Sequence, residues 1–298
     1  FINFSTIWGI MSESLKIKNH KTKIGKTTFI WGSRTYIMGV VNITPDSFSG
    51  DGLNTDINAI RKKARDFQEL GADIIDVGGE STRPPDLYED SKPVSLKEEF
   101  SRVIPVVQVL SQELSIPISV DTYKSEVAEA AIKAGASMIN DVWGLQKDSK
   151  MSKVVSEQKI PVVLMHNQNH TRYNDLIPDI IGRLKELTSM AIDAGIEPHN
   201  IILDPGIGFG KSIEQNLEIL RQLKEFKQLN KPLLLGTSRK STIGQVLNLP
   251  IQDRLEGTAA TVAISISKGV DIVRVHDVKE MSRVSKMSDA IVRGWKQK

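Results

Sequence analysis

The sequence contains no cysteine. Disulfide bridges, zinc–thiolate sites and thiol catalysis are therefore excluded, and a reducing compartment is compatible with that composition. It has no apolar run long enough to cross a bilayer. It has no excess of one charge: 39 Lys and Arg face 36 Asp and Glu, a net +3. That balance gives no case for an extended nucleic-acid surface, although a few placed cations would suffice for one phosphate group. No linker of biased composition divides the 298 residues, and no internal repeat is visible. What remains, 40% hydrophobic and 25% charged, is the make-up of a globular chain with a full core. A single α/β barrel commonly runs to this length.

The first residues, Phe1 to Ile10, are apolar and short, and Met11 follows. A basic stretch then carries Lys16, Lys18, Lys21, Lys23 and Lys26. A solvated arm is favoured over a transit peptide. Residues 1–22 are therefore expected to be an extension and residues 23–298 one domain. Lys23 to Gly32 suggests a small hairpin closing the bottom of a barrel.

From there, short apolar runs alternate with helical patterns. The runs are Tyr36–Val41, Ile74–Val77, Ile118–Val120, Met138–Ile139, Val162–Met165, Ile201–Leu203, Leu233–Leu235 and Ile272–Val275. Brief continuous apolar strands suit a parallel sheet buried on both faces. Helical stripes fall at Ile57, Ile60, Ala64, Phe67 and Leu70, and at Ile213, Leu217, Leu220 and Leu223. Asp56 and Ser212 suit N-caps, and Gly71 and Gly135 suit helix stops. Eight strand–helix units predict a (β/α)8 TIM barrel rather than an open sheet, which usually has fewer strands and a Gly-rich first turn.

Each predicted strand delivers a polar group at its C-terminal end. These are Asn42, then Asp76 with Gly78 to Arg83, Asp121, Asn140 and Asp141, His166, Asp204, Ser238 to Lys240, and finally Arg274 and His276. In a barrel that rim is where chemistry is done. Asp and Asn match the N–H and C=O edges of a flat heterocycle; Arg and His supply cations for an anionic group. The substrate is thus expected to be a polar heterocycle bearing phosphate or diphosphate, with Mg2+ bridging its phosphate oxygens. Three other patterns are given plainer readings. Gly206, Gly208 and Gly210 make a tight loop, since the third glycine comes too early for a dinucleotide fingerprint. His166 and His170 lack the adjacent Glu of a zinc protease helix. Ser238 has no strained elbow around it and reads as a binding group rather than a nucleophile.

The motifs also carry a resemblance. Met38-Gly-Val-Val-Asn-Ile-Thr-Pro-Asp-Ser-Phe-Ser49, Asp76-Val-Gly-Gly-Glu-Ser-Thr-Arg-Pro84, Ser119-Val-Asp-Thr122, Ile139-Asn-Asp141, Asp204-Pro-Gly-Ile-Gly-Phe-Gly210, Gly236-Thr-Ser-Arg-Lys240 and Arg274-Val-His276 resemble, in order, the signatures of the dihydropteroate synthase family. The resemblance runs from about Tyr36 to the C-terminus. It implies a pterin-binding TIM barrel that joins a dihydropterin methyl diphosphate to 4-aminobenzoate. It also implies a cytoplasmic, homodimeric enzyme of folate synthesis that uses Mg2+ and needs neither nucleic acid nor membrane. By the same resemblance Asp121, Asn140, Asp204 and Lys240 would hold the pterin, with Asp121 and Lys240 closest to the chemistry. Asn42 would bind the magnesium–diphosphate. Thr82, Arg83, Arg274 and His276 would contact or flank the diphosphate. Phe48, Pro84, Phe209 and Ser241 would border the aminobenzoate. Helices near the C-terminus, Leu255–Ser267 among them, contain apolar and small residues that suit either a dimer interface or the barrel core.

The loops Thr44–Asn54 and Ser81–Ser95 are Gly/Pro-rich and polar, and are expected to close over the diphosphate. Three positions depart from common family forms: Gly50-Asp51-Gly52 stands for Asp-Gly-Gly, Pro85 for Gly, and Asn167 for Met. Two rival readings share the pterin logic. One is a methyltransferase moving a methyl group from methyltetrahydrofolate to a corrinoid protein, which has no need of the Ser-Arg-Lys and Arg-Val-His cations. The other is a catalytically silent pterin-binding subunit, against which the intact Asn42, Asp121, Lys240, Arg274 and His276 argue.

Overall fold

The computed structural model describes residues 21–43, 57–80 and 94–295. Phe48, Thr82, Arg83, Pro84 and Asp56 lie outside these residues. So do residues 1–20 and most of the two loops expected to close over the diphosphate.

Two short strands, β1 (Lys21–Ile24) and β2 (Thr27–Ile30), pair antiparallel as a hairpin. It begins two residues before the predicted domain start. Its alternation is functional: Ile24 and Phe29 are fully buried, whereas Lys21 and Lys23 are exposed. Phe29, Trp31 and Tyr36 stack and tilt against one another at centroid distances of 4.7 to 5.6 Å. This group packs on Met38, Ile74, Met138, Val163, Ile202, Leu234 and Ile272. All seven lie within the first three residues of their strands, so the hairpin plugs the N-terminal mouth of the barrel.

The barrel strands are β3 (Tyr36–Asn42), β4 (Ile74–Gly78), β5 (Ile118–Asp121), β6 (Met138–Asp141), β7 (Val162–Met165), β8 (Ile201–Asp204), β9 (Leu234–Leu235) and β10 (Ile272–Val275). All pair parallel in the order β8-β7-β6-β5-β4-β3-β10-β9. A parallel bridge from Leu203 to Leu233 closes the ring. Every predicted strand is present; β3, β5, β6 and β8 run one or two residues further, to end on the polar residue itself, and β4 runs one further, to Gly78.

The helices that follow are α1 (Ile57–Glu69), α2 (Leu96–Glu113), α3 (Ser125–Lys133), α4 (Met151–Gln158), α5 (Leu176–Asp193), α6 (Ile213–Arg221), α7 (Ser241–Leu247), α8 (Leu255–Ser267) and α9 (Val278–Arg293). Helix α1 buries Ile60, Ala64 and Phe67 of its predicted stripe, whereas Ile57 is half-buried and Leu70, just past the helix end, is exposed. Helix α6 corrects its stripe: Leu217 is exposed, and Asn216, Ile219 and Leu220 face inward. The reason is a polar contact, because Asn216 Oδ1 accepts from the Gly208 N–H at 2.8 Å and turns that face toward the rim. Ser212 caps α6 through a reciprocal capping box with Gln215. Gly71 and Gly135 have φ of +100° and +115°, as helix-stop glycines do. No helix among the described residues is long and apolar enough to cross a membrane.

Candidate active site at the barrel mouth

A cavity of about 230 Å³ opens at the C-terminal ends of the strands. Each of the nine described residues expected at the site lines it: Asn42, Asp121, Asn140, Asp204, Phe209, Lys240, Ser241, Arg274 and His276. They come from β3, β5, β6, β8 and β10, from the loops after β8, β9 and β10, and from the first residue of α7. A parallel barrel gathers them because each strand ends at the same level.

The centre is an ion-pair network that spacing alone does not reveal. Arg274 Nε donates to Asp76 Oδ2 at 2.6 Å, and its Nη2 donates to Asp121 Oδ2 at 2.8 Å. Asn140 Nδ2 donates to the same Asp76 oxygen at 3.1 Å. Asp76 is fully buried and was visible in sequence only as one rim residue among many. Its strand position two residues before Gly78, pointing inward, is the signal that could have singled it out. Asp121 Oδ1 is buried without a hydrogen-bond partner, which leaves an acceptor ready for a ligand N–H. Burial pushes the Asp121 carboxyl up to about 7, against the pull of Arg274 and with the help of Asp76, Glu99 and Asp141.

This network links the residues expected at the pterin to those expected at the diphosphate. Arg274 is shared with the carboxylates, which hold its guanidinium above the ordinary arginine range despite burial. His276, unlike Arg274, is no cation in the ligand-free site. Burial, followed by Arg274, Arg239 and Lys63, lowers its imidazole to about 3. Its Nδ1 lies 3.0 Å from Ser238 Oγ, and Ser238 Oγ also accepts from the His276 backbone N–H at 3.2 Å. Ser238 is thus committed to orienting a ring, in keeping with a binding role. Arg239, at φ +58°, is latched to Asp277 through Nε at 3.0 Å and through Nη2.

Lys240 precedes α7. Its Nζ donates to the Ile207 carbonyl and lies 4.7 Å from the centroid of the Phe209 ring. Burial lowers this ammonium to about 8, with Asp204 opposing and Arg274 assisting. Asp204 Oδ1 accepts from the Gly206 N–H at 2.7 Å; burial raises its carboxyl while Lys240 and Gly206 lower it.

Two rim residues turn away from the cavity. Asp141 accepts from the Trp143 and Leu145 N–H groups, each at 2.8 Å, and so shapes its own loop. His166 is buried against Lys211, with Nδ1 to Nζ at 3.0 Å. Asn167 Nδ2 donates to the Val142 carbonyl at 3.0 Å, tying two rim loops together. Glu80 lines the cavity and was not singled out; Lys124 Nζ holds it at 2.6 Å and also holds the buried Glu99.

Comparison with known proteins agrees with this geometry. Residues 38–276 match the model of a family described as pterin binding enzyme. A dihydropteroate synthase from Clostridium beijerinckii is 54% identical over 91% of this chain and 99% of its own length. A crystal structure of the Clostridium difficile dihydropteroate synthase, determined in the presence of pteroic acid, superposes with a TM-score of 0.85 at 52% identity. It covers 89% of this chain and 99% of that one. The Xanthomonas albilineans enzyme with 4-aminobenzoic acid superposes with a TM-score of 0.86 at 36% identity, over 92% of this chain and 98% of that one.

Proposed function

The chain belongs to the pterin-binding enzyme family and, within it, to the dihydropteroate synthases; from that premise we propose how its own residues perform the reaction. The enzyme joins the methylene carbon of (7,8-dihydropterin-6-yl)methyl diphosphate to the amine of 4-aminobenzoate. The C–O bond to diphosphate breaks, a C–N bond forms, the amine loses a proton, and 7,8-dihydropteroate and diphosphate leave. The observation that carries the assignment to this cavity is the Asp76–Arg274–Asp121 network beside Asn140, Asp204 and Lys240.

In this reading Asp121, Asn140 and Asp204 take the pterin edge, and the unpartnered Asp121 Oδ1 accepts a ring N–H. As diphosphate departs, positive charge develops on the pterin, and ionised Asp121 stabilises it. Lys240 contacts the pterin from the glycine-loop side, and Phe209 and Ser241 border the aminobenzoate. Phe48, Thr82, Arg83 and Pro84 complete that wall and the diphosphate site by resemblance. The aniline nitrogen is uncharged at neutral pH and already nucleophilic, so holding it in line matters more than a strong base.

Among the described residues no group of three His, Asp or Glu could hold a metal alone. One amide oxygen, from Asn42, suits Mg2+ that arrives with its phosphate ligands and keeps several waters. When bound, the ion would neutralise charge on the leaving diphosphate. The same reading makes the protein a cytoplasmic homodimer.

The test mixes the pterin diphosphate, 4-aminobenzoate and Mg2+ and follows diphosphate release. Release that requires aminobenzoate supports the reading. An inert protein would return it to a silent pterin-binding subunit, and transfer from methyltetrahydrofolate would make it a methyltransferase.

A further inference from the structure

The loop after β8 is held from two sides by two lysines. On the cavity side Lys240 Nζ donates to the carbonyl of Ile207. On the buried side Lys211 Nζ donates to the carbonyl of Phe209 at 2.8 Å, two residues along the same loop. Lys211 does not line the cavity. Its three ammonium protons have three acceptors: Phe209 O, His166 Nδ1 at 3.0 Å and His166 O at 3.4 Å. That arrangement requires a neutral His166 with its proton on Nε2, and burial together with Lys211 lowers His166 to about 3. Burial also draws Lys211 down to about 7, with Asp204 opposing.

The surroundings leave this loop little freedom except through that lysine. A Cβ on Gly206, at φ +74°, would lie 2.0 Å from the His166 carbonyl oxygen, and one on Gly210 would lie 2.3 Å from that of Gln168. The loop therefore presses its backbone onto the loop after β7. Tyr173 Oη donates to the Gly210 carbonyl at 2.8 Å and fixes the far end. Phe209 lies between these fixed points, and its carbonyl is set by Lys211 alone among the contacts described.

Resting on the synthase reading, we propose that Lys211 is a positioning residue for 4-aminobenzoate: held by His166, it fixes the Phe209 carbonyl, and with it the wall that the aminobenzoate meets. A buried polar cluster kept only for stability would cost the fold when broken, and both substrates equally. A wall-setting cluster costs one substrate selectively.

The experiment is steady-state kinetics on K211M, with H166N, H166L and Y173F as companions. K211M should raise the KM for aminobenzoate about tenfold and leave the pterin diphosphate KM within about twofold, as expected when one ground-state contact surface is displaced. H166N retains an acceptor near the Nδ1 position and should stay close to wild type, whereas H166L should follow K211M. Y173F should lower the melting temperature without splitting the two KM values. Equal rises in both KM values, or no rise in either with only a lower melting temperature, would overturn the proposal. If K211M does not fold, the contrast between H166L and H166N decides it by the same criterion. An inactive wild type would instead defeat the underlying synthase reading, so the two failures are distinguishable.

Discussion

Asp121 divides its carboxylate between two tasks. One oxygen balances Arg274 at 2.8 Å, and the other has no partner in the protein. Because burial raises its pKa to about 7, the group is protonated below neutrality and ionised above it in the free enzyme. If the ionised form stabilises the pterin cation, kcat/KM for the pterin diphosphate should climb with pH through about 7 and then level, since that parameter reports the free enzyme. D121N keeps the shape and removes the charge; kcat should fall about 100-fold, in the range of one lost electrostatic stabiliser, and the rising limb should vanish. Wild-type turnover in that variant would remove Asp121 from the chemistry. His276 allows a different measurement. Its imidazole is neutral in the empty site, with its pKa near 3, and a bound diphosphate would draw that value upward. Diphosphate binding at pH 6, followed by calorimetry in buffers of different ionisation enthalpy, should take up protons, and H276N should abolish the uptake.

At the scale of elements, the two ends of the barrel differ in what they tolerate. The bottom is packing: Phe29 is fully buried among strand-start side chains. F29A should lose about 3–5 kcal/mol of unfolding free energy in denaturant melts, as large-to-small changes in a filled core do, with kcat per folded molecule unchanged. The top is backbone: G206A places a methyl against a carbonyl at 2.0 Å and at positive φ, and should cost about 2–4 kcal/mol by strain while also impairing turnover. These elements show what was legible in the sequence. Strands such as Val162–Met165 and Ile272–Val275 were readable to the residue, because a parallel strand buried on both faces is a continuous apolar run ending where water begins. The rim residues followed from the strand ends. What was not legible is which rim groups pair. Nothing in spacing says that Arg274 reaches across the barrel to Asp76, that His166 turns to Lys211, or that Asn216 rotates α6. Those are choices made by side chains meeting from elements distant in sequence.

At the scale of the molecule, the apolar surface is uneven, and the unevenness bears on assembly. Helix α8, suited by sequence to either an interface or the core, buries Thr258, Val262, Ser265 and Ile266 and leaves Ile264 exposed. The larger exposure belongs to its neighbour α9. Met287 and Ile291 stand one turn apart on it at 63% and 73% exposure; Trp295, at 74%, lies past the helix end at Gly294. Side chains four residues apart share a helix face, and exposed large apolar side chains grouped on one face suit a contact surface. A self-complementary helix pair related by a twofold axis would cover it in a second copy of the chain. Sedimentation equilibrium at micromolar concentration should therefore give twice the chain mass of 33.0 kDa. I291E should shift the mass toward one chain, because the twofold repeats the buried charge on both sides of the contact. The active site lies at the strand ends of each barrel, so the dissociated variant should retain turnover per chain. A wild-type chain that sediments as a monomer at all accessible concentrations would overturn the assignment of the α9 face to self-association.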